Sequence, residues 1–184
     1  MERVNRILSN PAYQEAIRKN EELERDRRYC HHDMAHFLDV ARIAMLLAVK
    51  EKLPISQAQK LSVSQAQELS HLQVQEVPIM EALVYAAALV HDIGRYRQYE
   101  DGTPHEQASA ELAPKILLES GFDQKETDVI VDAVRSHRNE NIAEERSLRG
   151  LLYRADKLSR ACFACFARQE CNWSADKKNM QIVL

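Results

Sequence analysis

Six side chains of metal-binding type are spread along this chain: His36, the adjacent pair His91-Asp92, then His105, His137 and Asp156. An imidazole nitrogen beside carboxylate oxygens makes a mixed donor set, suited to zinc, iron or manganese. The pair closes an apolar run, Ala82-Leu-Val-Tyr-Ala-Ala-Ala-Leu-Val90, and is followed by Ile93-Gly-Arg95. One His-Asp pair at a helix end is ordinary, and its weight comes from the partners elsewhere. Asp156, flanked by Leu151, Leu152, Ala155 and Leu158, is expected against the core. A buried carboxylate needs a partner, and a metal ion is one.

The elements that must carry these groups read as helices. Phe37, Val40, Ala41, Ile43, Ala44 and Leu47 recur at helical spacing, so a long amphipathic helix holds His36. His32 lies four residues earlier and stacks on the same face. The run from Ala82 to Val90 is a central buried helix with His91-Asp92 at its C-terminal end and Gly94 as breaker. Tyr96 to Thr103 reads as a loop over the site. His105 opens the next helix, with Thr103 as cap, a kink at Pro114 and a stop at Gly121. Asp123 and Glu126 form a capping box for a helix that carries Ile130, Val131 and Val134 and ends at His137. The last helix is expected from Glu145 through Asp156 towards Phe166. Before all of these, residues 10 to 28 form a polar helix capped by Asn10, with Pro11 next and a thin apolar line of Tyr13, Ile17 and Leu23. No chemistry is assigned to it. Between the His36 and His91 helices, Ile55-Ser-Gln-Ala-Gln-Lys-Leu-Ser62 is followed by the near-copy Val63-Ser-Gln-Ala-Gln-Glu-Leu-Ser70. Such a tandem polar unit is a duplicated insertion, and His71 inside it is not expected to be a ligand.

A His, then His-Asp, then two single His, then Asp, on helices of this kind, resembles the HD-domain metal-dependent phosphohydrolase superfamily. The resemblance spans roughly Cys30 to Arg160. It implies an all-α fold, a compact helical HD-domain bundle of about six to eight helices. One domain is expected over 1–184, with an N-terminal helical extension (1–29), the polar repeat insertion (55–78) and a Cys-containing tail (162–184). By resemblance, His36, His91, Asp92 and Asp156 bind one metal, while His105 and His137 at the mouth complete a second with Asp92 bridging. His32 and Asp33 are placed behind the ligands or at the substrate.

The chemistry implied is hydrolysis of a phosphate ester or anhydride, of a nucleotide, by metal-activated water. Manganese, iron, cobalt, zinc or magnesium would serve, as one or two ions. Asp92, His105 and His137 are the catalytic candidates. Arg95, Arg138, Lys157 and Arg160 lie next to ligands in sequence and are candidates for holding phosphate oxygens. No glycine-rich phosphate loop occurs. The alternatives are a diiron oxygenase on the same scaffold and a non-catalytic module that binds a regulatory partner.

The 184 residues are enough for one domain with a proper core. A net charge of -3 gives no reason to expect nonspecific nucleic-acid binding. The start, Met1-Glu-Arg-Val-Asn-Arg-Ile, lacks a signal peptide's apolar core, and no run reaches membrane-spanning length. The expectation is a cytoplasmic protein without a membrane partner, whose cysteines are thiols or metal ligands. Cys162 and Cys165 are followed by Cys171, and Cys30 is the remaining cysteine. If Cys162 and Cys165 share a helix face, Cys171 cannot join them along the same helix, and the chain should turn before Asn172-Trp173. If the helices of His36 and Asp156 run antiparallel, Cys30 and Cys162 fall at the same end. The four thiolates would then gather into a second site, holding structural zinc or an iron–sulfur cluster.

Overall fold

Asn10 and Pro11 set the first corner of the chain. The Asn10 side chain accepts the backbone N–H groups of Ala12 and Tyr13, and Pro11 occupies the first helical turn, where no N–H is needed. This computed structural model describes residues 1–53 and 77–183, with only the main chain of 77–80. The corner separates α1 (Glu2–Ser9) from α2 (Pro11–Leu23), so the stretch expected as one helix over 10–28 stops earlier and follows another. Val4, Ile7, Tyr13, Ala16 and Ile17 are buried, and the N-terminal segment joins the core. Leu23, expected on the apolar line, is exposed. The inward face continues instead through Asn20 and Glu24, both buried, because positions 13, 17, 20 and 24 follow the helical period.

The remaining helices are α3 (Met34–Lys50), α4 (Val77–Val90), α5 (Arg95–Glu100), α6 (His105–Glu119), α7 (Gln124–Ser136) and α8 (Leu148–Leu158). The fold is all-α: among the described residues every regular element is helical. The tandem repeat, apart from the first two residues of α4, lies outside the described residues. Helix α4 is the centre, with α1, α3, α6, α7 and α8 packed around it and Ala86 to Val90 fully buried. Burial of each large side chain here, such as Leu89 or Ile93, contributes about 1.5–3 kcal/mol. Helices α3 and α8 run antiparallel. His36 in the first turn of α3 meets Asp156 and Ser159 at the end of α8, while Arg146 ahead of α8 donates to the Glu51 carbonyl just past α3.

Several expectations need correction. The stretch after Gly94 is not a loop but α5, and the following helix is preceded by Pro104 without a side-chain cap, not by a Thr103 cap. Gly94 has φ -86, so the left-handed freedom of glycine is not what the position needs. A Cβ there would stand 2.3 Å from the Ser109 nitrogen, so its absence lets the chain after α4 lie directly on α6. Last, α8 stops at Leu158 and does not reach Phe166. The Asn179 side chain donates to the carbonyls of Lys157, Leu158 and Arg160, taking up acceptors the helix end leaves free. Cys162–Ala164 is a 3-10 turn, so Cys162 and Cys165 share no α-helical face. Other local signals hold: Gly121 turns the chain at φ +93 after α6, and Asp123 with Glu126 makes the capping box of α7. No described helix is long and apolar enough to cross a membrane.

Candidate metal centre

Five imidazoles converge on one carboxylate at the heart of the bundle. His91 and Asp92 sit at the end of α4 with 0 and 2 % exposure. His105 opens α6, His137 closes α7, His36 lies in the first turn of α3, and His32 just precedes that helix. Asp92 Oδ1 is 3.3 Å from His105 Nε2 and 3.4 Å from His137 Nε2. Asp92 Oδ2 is 3.5 Å from His91 Nε2 and 3.7 Å from His32 Nε2. His36 Nε2 lies 3.3 Å from His91 Nε2 and 3.7 Å from Asp156 Oδ1.

The outer nitrogen of each ring is engaged elsewhere. His91 Nδ1 donates to the Ala88 carbonyl at 2.7 Å and His137 Nδ1 to the Val134 carbonyl at 2.6 Å. His105 Nδ1 meets Gln98 Oε1 at 2.6 Å, and His32 Nδ1 meets Glu24 Oε1 at 2.9 Å. His36 Nδ1 faces Ser159 Oγ at 3.3 Å, and that hydroxyl gives its hydrogen to the Asp156 carbonyl. With every Nδ1 carrying the proton, each Nε2 turns a lone pair inward. Two such lone pairs, on His36 and His91, then face each other at 3.3 Å. Nitrogens bound to one ion at about 2.1 Å would stand roughly 3.0–3.4 Å apart. Asp92 Oδ1, fully buried, has no hydrogen-bond partner. A buried anion oxygen and opposed imidazole lone pairs are unfavourable unless a cation lies among them. The donors fall into three sets whose ligand atoms lie within 4.8 Å of one another: His32, His36 and Asp92; His36, His91 and Asp156; and Asp92, His105 and His137.

Electrostatics favour the same occupant. Burial pushes the His36 imidazole down to about 4, and His91 adds to it. Burial likewise pulls His105 to about 3 and lowers His91. For His137 burial is overcome by the negative charge of the Asp92 carboxylate beside it, which raises it. Burial works against ionisation of Asp92, yet the surrounding imidazoles hold it well below the usual carboxylate range. Asp156 is also held low against its burial, by Lys157 first and then by His91 and His137. Two carboxylates thus stay ionised among mostly neutral imidazoles.

All six residues singled out in the sequence come together. His105 and His137, however, are buried at the floor of the cleft and not at its mouth, because the meeting ends of α6 and α7 press onto the end of α4. His32 stands with the potential ligands, whereas Asp33 is the N-cap of α3, accepting from the His36 N–H. Arg138, Lys157 and Arg160 line the cleft. Lys157 Nζ pairs with Asp156 at 2.5 Å, and the Arg160 guanidinium stacks 4.2 Å above the Trp173 ring. Arg95 is less free, since its Nε donates to Glu24 at 2.7 Å. The four cysteines border the same cleft but enter none of the three donor sets.

Four supporting residues escaped the sequence reading: Asn20, Glu24, Gln98 and Ser159. Asn20 Nδ2 donates to the Asp92 carbonyl at 3.0 Å, and its Oδ1 accepts the Tyr96 N–H at 2.7 Å, fixing the turn that presents Asp92. Glu24, 4 % exposed, accepts from His32, Arg95 and Tyr99. Despite its burial, the bond from His32 holds it down to about 2. The signal that could have found both is the helical period running on from Tyr13 and Ile17.

An all-helical bundle with a buried, histidine-rich carboxylate centre that could hold a metal marks out a particular class of fold. The model of the HD domain matches residues 34–161, and the chain belongs to that family, the HD-domain superfamily of metal-dependent phosphohydrolases. It is also similar, at 37 % identity over 185 residues covering 99 % of both chains, to an uncharacterized protein of Clostridium beijerinckii. No solved structure matches. Glu24 and Asn20 lie outside the matched stretch.

Proposed function

We propose that this chain is a metal-dependent phosphohydrolase that cleaves a phosphate ester or anhydride of a nucleotide. The observation that carries the reading is the Asp92-centred donor set at the base of a cleft rimmed by Arg138, Lys157 and Arg160. Anionic oxygens are drawn to such a rim, and the inward lone pairs below it suit cations. Phe166 on the same cleft offers an exposed face on which a base can stack.

His36, His91, Asp92 and Asp156 would hold one divalent ion, and Asp92 with His105 and His137 a second; His32 is placed to join either. Ions bound there would polarise the phosphoryl group and supply hydroxide near neutral pH. The residues do the rest. Burial keeps His36, His91 and His105 neutral and so able to donate lone pairs. Asp92, tied through its backbone to Asn20, keeps its carboxylate fixed between the two ligand sets. Arg138, with its exposed guanidinium, and Arg160 on the wall of the cleft would orient phosphate oxygens. Lys157 shares its charge between Asp156 and the cleft.

The experiment is anaerobic purification with metal analysis, followed by a panel of nucleotides, dinucleotides and phosphomonoesters in manganese, cobalt or iron. Metal-dependent release of phosphate or a nucleotide, absent from Asp92→Ala, is expected. Fully metallated protein that turns over no member of the panel would overturn the reading, and oxygen consumption in place of phosphate release would support the oxygenase instead.

A further inference from the structure

We propose that Cys30, Cys162, Cys165 and Cys171 together hold a second metal centre through their thiolates, an iron–sulfur cluster or a zinc ion, on the rim of the cleft. It does not rest on the reaction assigned to the His/Asp centre.

The chain has four cysteines, all free and all on the wall of this one cleft, though Cys30 is far from the others in sequence. The fold brings the two stretches together just beside the thiols. Arg28 pairs with Glu170 at 2.8 Å, and the Tyr29 hydroxyl donates to the Glu170 carbonyl at 3.2 Å. Cys30 and Cys171 are the next residues along each strand of chain. Cys30 itself takes φ +27, a left-handed value that a side chain with a Cβ rarely adopts without cause. Arg27 holds the turn by donating from Nε to the carbonyls of Tyr29 and Cys30.

The tail that carries three of the cysteines is a second, separate observation. Among residues 162–183 only Ala167 is buried, and Phe166 is 83 % exposed. The segment nevertheless follows a defined path: the Phe163 N–H donates to the Asn179 carbonyl, and Lys178 Nζ donates to the carbonyls of Arg168 and Cys171. Ordering a stretch of irregular backbone costs conformational entropy that hydrophobic burial normally offsets. Small segments without a core are commonly organised by metal ligation instead.

Spacing discriminates between the two occupants. A zinc ion with Zn–S bonds of about 2.3 Å would hold its thiolates roughly 3.8 Å apart. Among the described residues, the groups whose ligand atoms lie within 4.8 Å contain no cysteine. A four-iron cluster takes one thiolate at each iron and so spreads them more widely, which suits the looser arrangement. Either occupant would clip the C-terminal tail to the turn at Cys30. His32 and the α3 cap Asp33 follow that turn directly, so the centre would also set the position of His32 at the neighbouring site.

The test uses the full chain, purified anaerobically, as wild type and as Asp92→Ala, Cys162→Ser and Cys171→Ser. Acid-labile sulfide, iron and zinc are counted per chain. Sulfide separates the cluster from any iron at the His/Asp centre, and Asp92→Ala weakens that centre independently. About four sulfides per chain, kept by Asp92→Ala and lost in both cysteine variants, identify a cluster. One zinc with the same pattern identifies the zinc form. Should the cysteine variants fail to fold, a thiol reagent applied to the native wild type decides. Thiols shielded until a chelator or oxidant releases the metal support the centre. Immediate labelling of all four, a disulfide among them, or neither sulfide nor cysteine-dependent zinc would overturn it.

Discussion

Glu24 offers the sharpest test of the centre's architecture, because four donors converge on its one carboxylate. Oε1 lies 2.9 Å from His32 Nδ1, 2.7 Å from Arg95 Nε and 2.8 Å from the Tyr99 hydroxyl, while Oε2 accepts the His32 backbone N–H at 3.0 Å. Glu24→Gln keeps the shape but removes the charge. With its oxygen in the Oε1 position, the new amide nitrogen would face the His32 N–H, donor against donor. Loss of one charge-assisted bond costs about 1.5–3 kcal/mol, and weakening of the Arg95 pair adds to it. The titration gives a similar size. A carboxylate moved from 4.5 to about 2 corresponds to about 3 kcal/mol at 1.36 kcal/mol per pH unit. For a chain of this length that is a fall in Tm of roughly 6–12 °C. Because the folded group titrates lower than the unfolded one, its contribution is complete above pH 4.5 and disappears as pH falls towards 2. Thermal unfolding of chelator-treated wild type and Glu24→Gln, followed by circular dichroism, should therefore show a gap at pH 7 that narrows on acidification. Metal affinity should also fall about 10- to 100-fold, since His32 loses the carboxylate that orients it. A gap below about 1 kcal/mol, or one that is flat with pH, would refute the Glu24–His32–Arg95 arrangement.

Asp92→Ala should abolish phosphohydrolysis and the stabilisation by added metal. In the wild type, manganese or cobalt at about 100 times its Kd should add about 2.7 kcal/mol, or roughly 5–11 °C in Tm, and wild-type rates in the variant would refute the mechanism. Gly94→Ala forces a methyl against the Ala108–Ser109 backbone at 2.3 and 2.5 Å and against the Ala108 Cβ at 2.7 Å. A loss of about 1–3 kcal/mol in denaturant unfolding is expected, with weaker metal binding because α6 carries His105; unchanged stability would show that α6 yields easily. Ser159→Ala frees the outer nitrogen of His36 and should lower metal affinity about 10-fold with less than about 1 kcal/mol of destabilisation, both read from metal titration and melting.

What was legible in the sequence follows from what kind of interaction sets each feature. His36, His91, Asp92, His105, His137 and Asp156 stand beside or within apolar helical stretches whose period is set by burial, and the fold brings all six together. Capping signals at Asn10 and Asp123 are local, made by side chains within three residues of their partners, and they held. The failures share a cause. The end of α8 is decided by Asn179, about twenty residues further along, which no local pattern announces. Gly94 looked like a helix breaker because glycine usually is one, while its actual constraint is the backbone of α6. Glu24 hid in the most highly charged run of the chain, where a solvated face is the natural expectation. The helical period of α2 does point it inward, but period alone gives no reason to bury a carboxylate. That reason is supplied by His32 and Arg95, and it exists only once α2, α3 and α5 have packed together. The donors of the centre could thus be read one at a time, but the residues that aim them could not, because each is fixed by a partner on another helix.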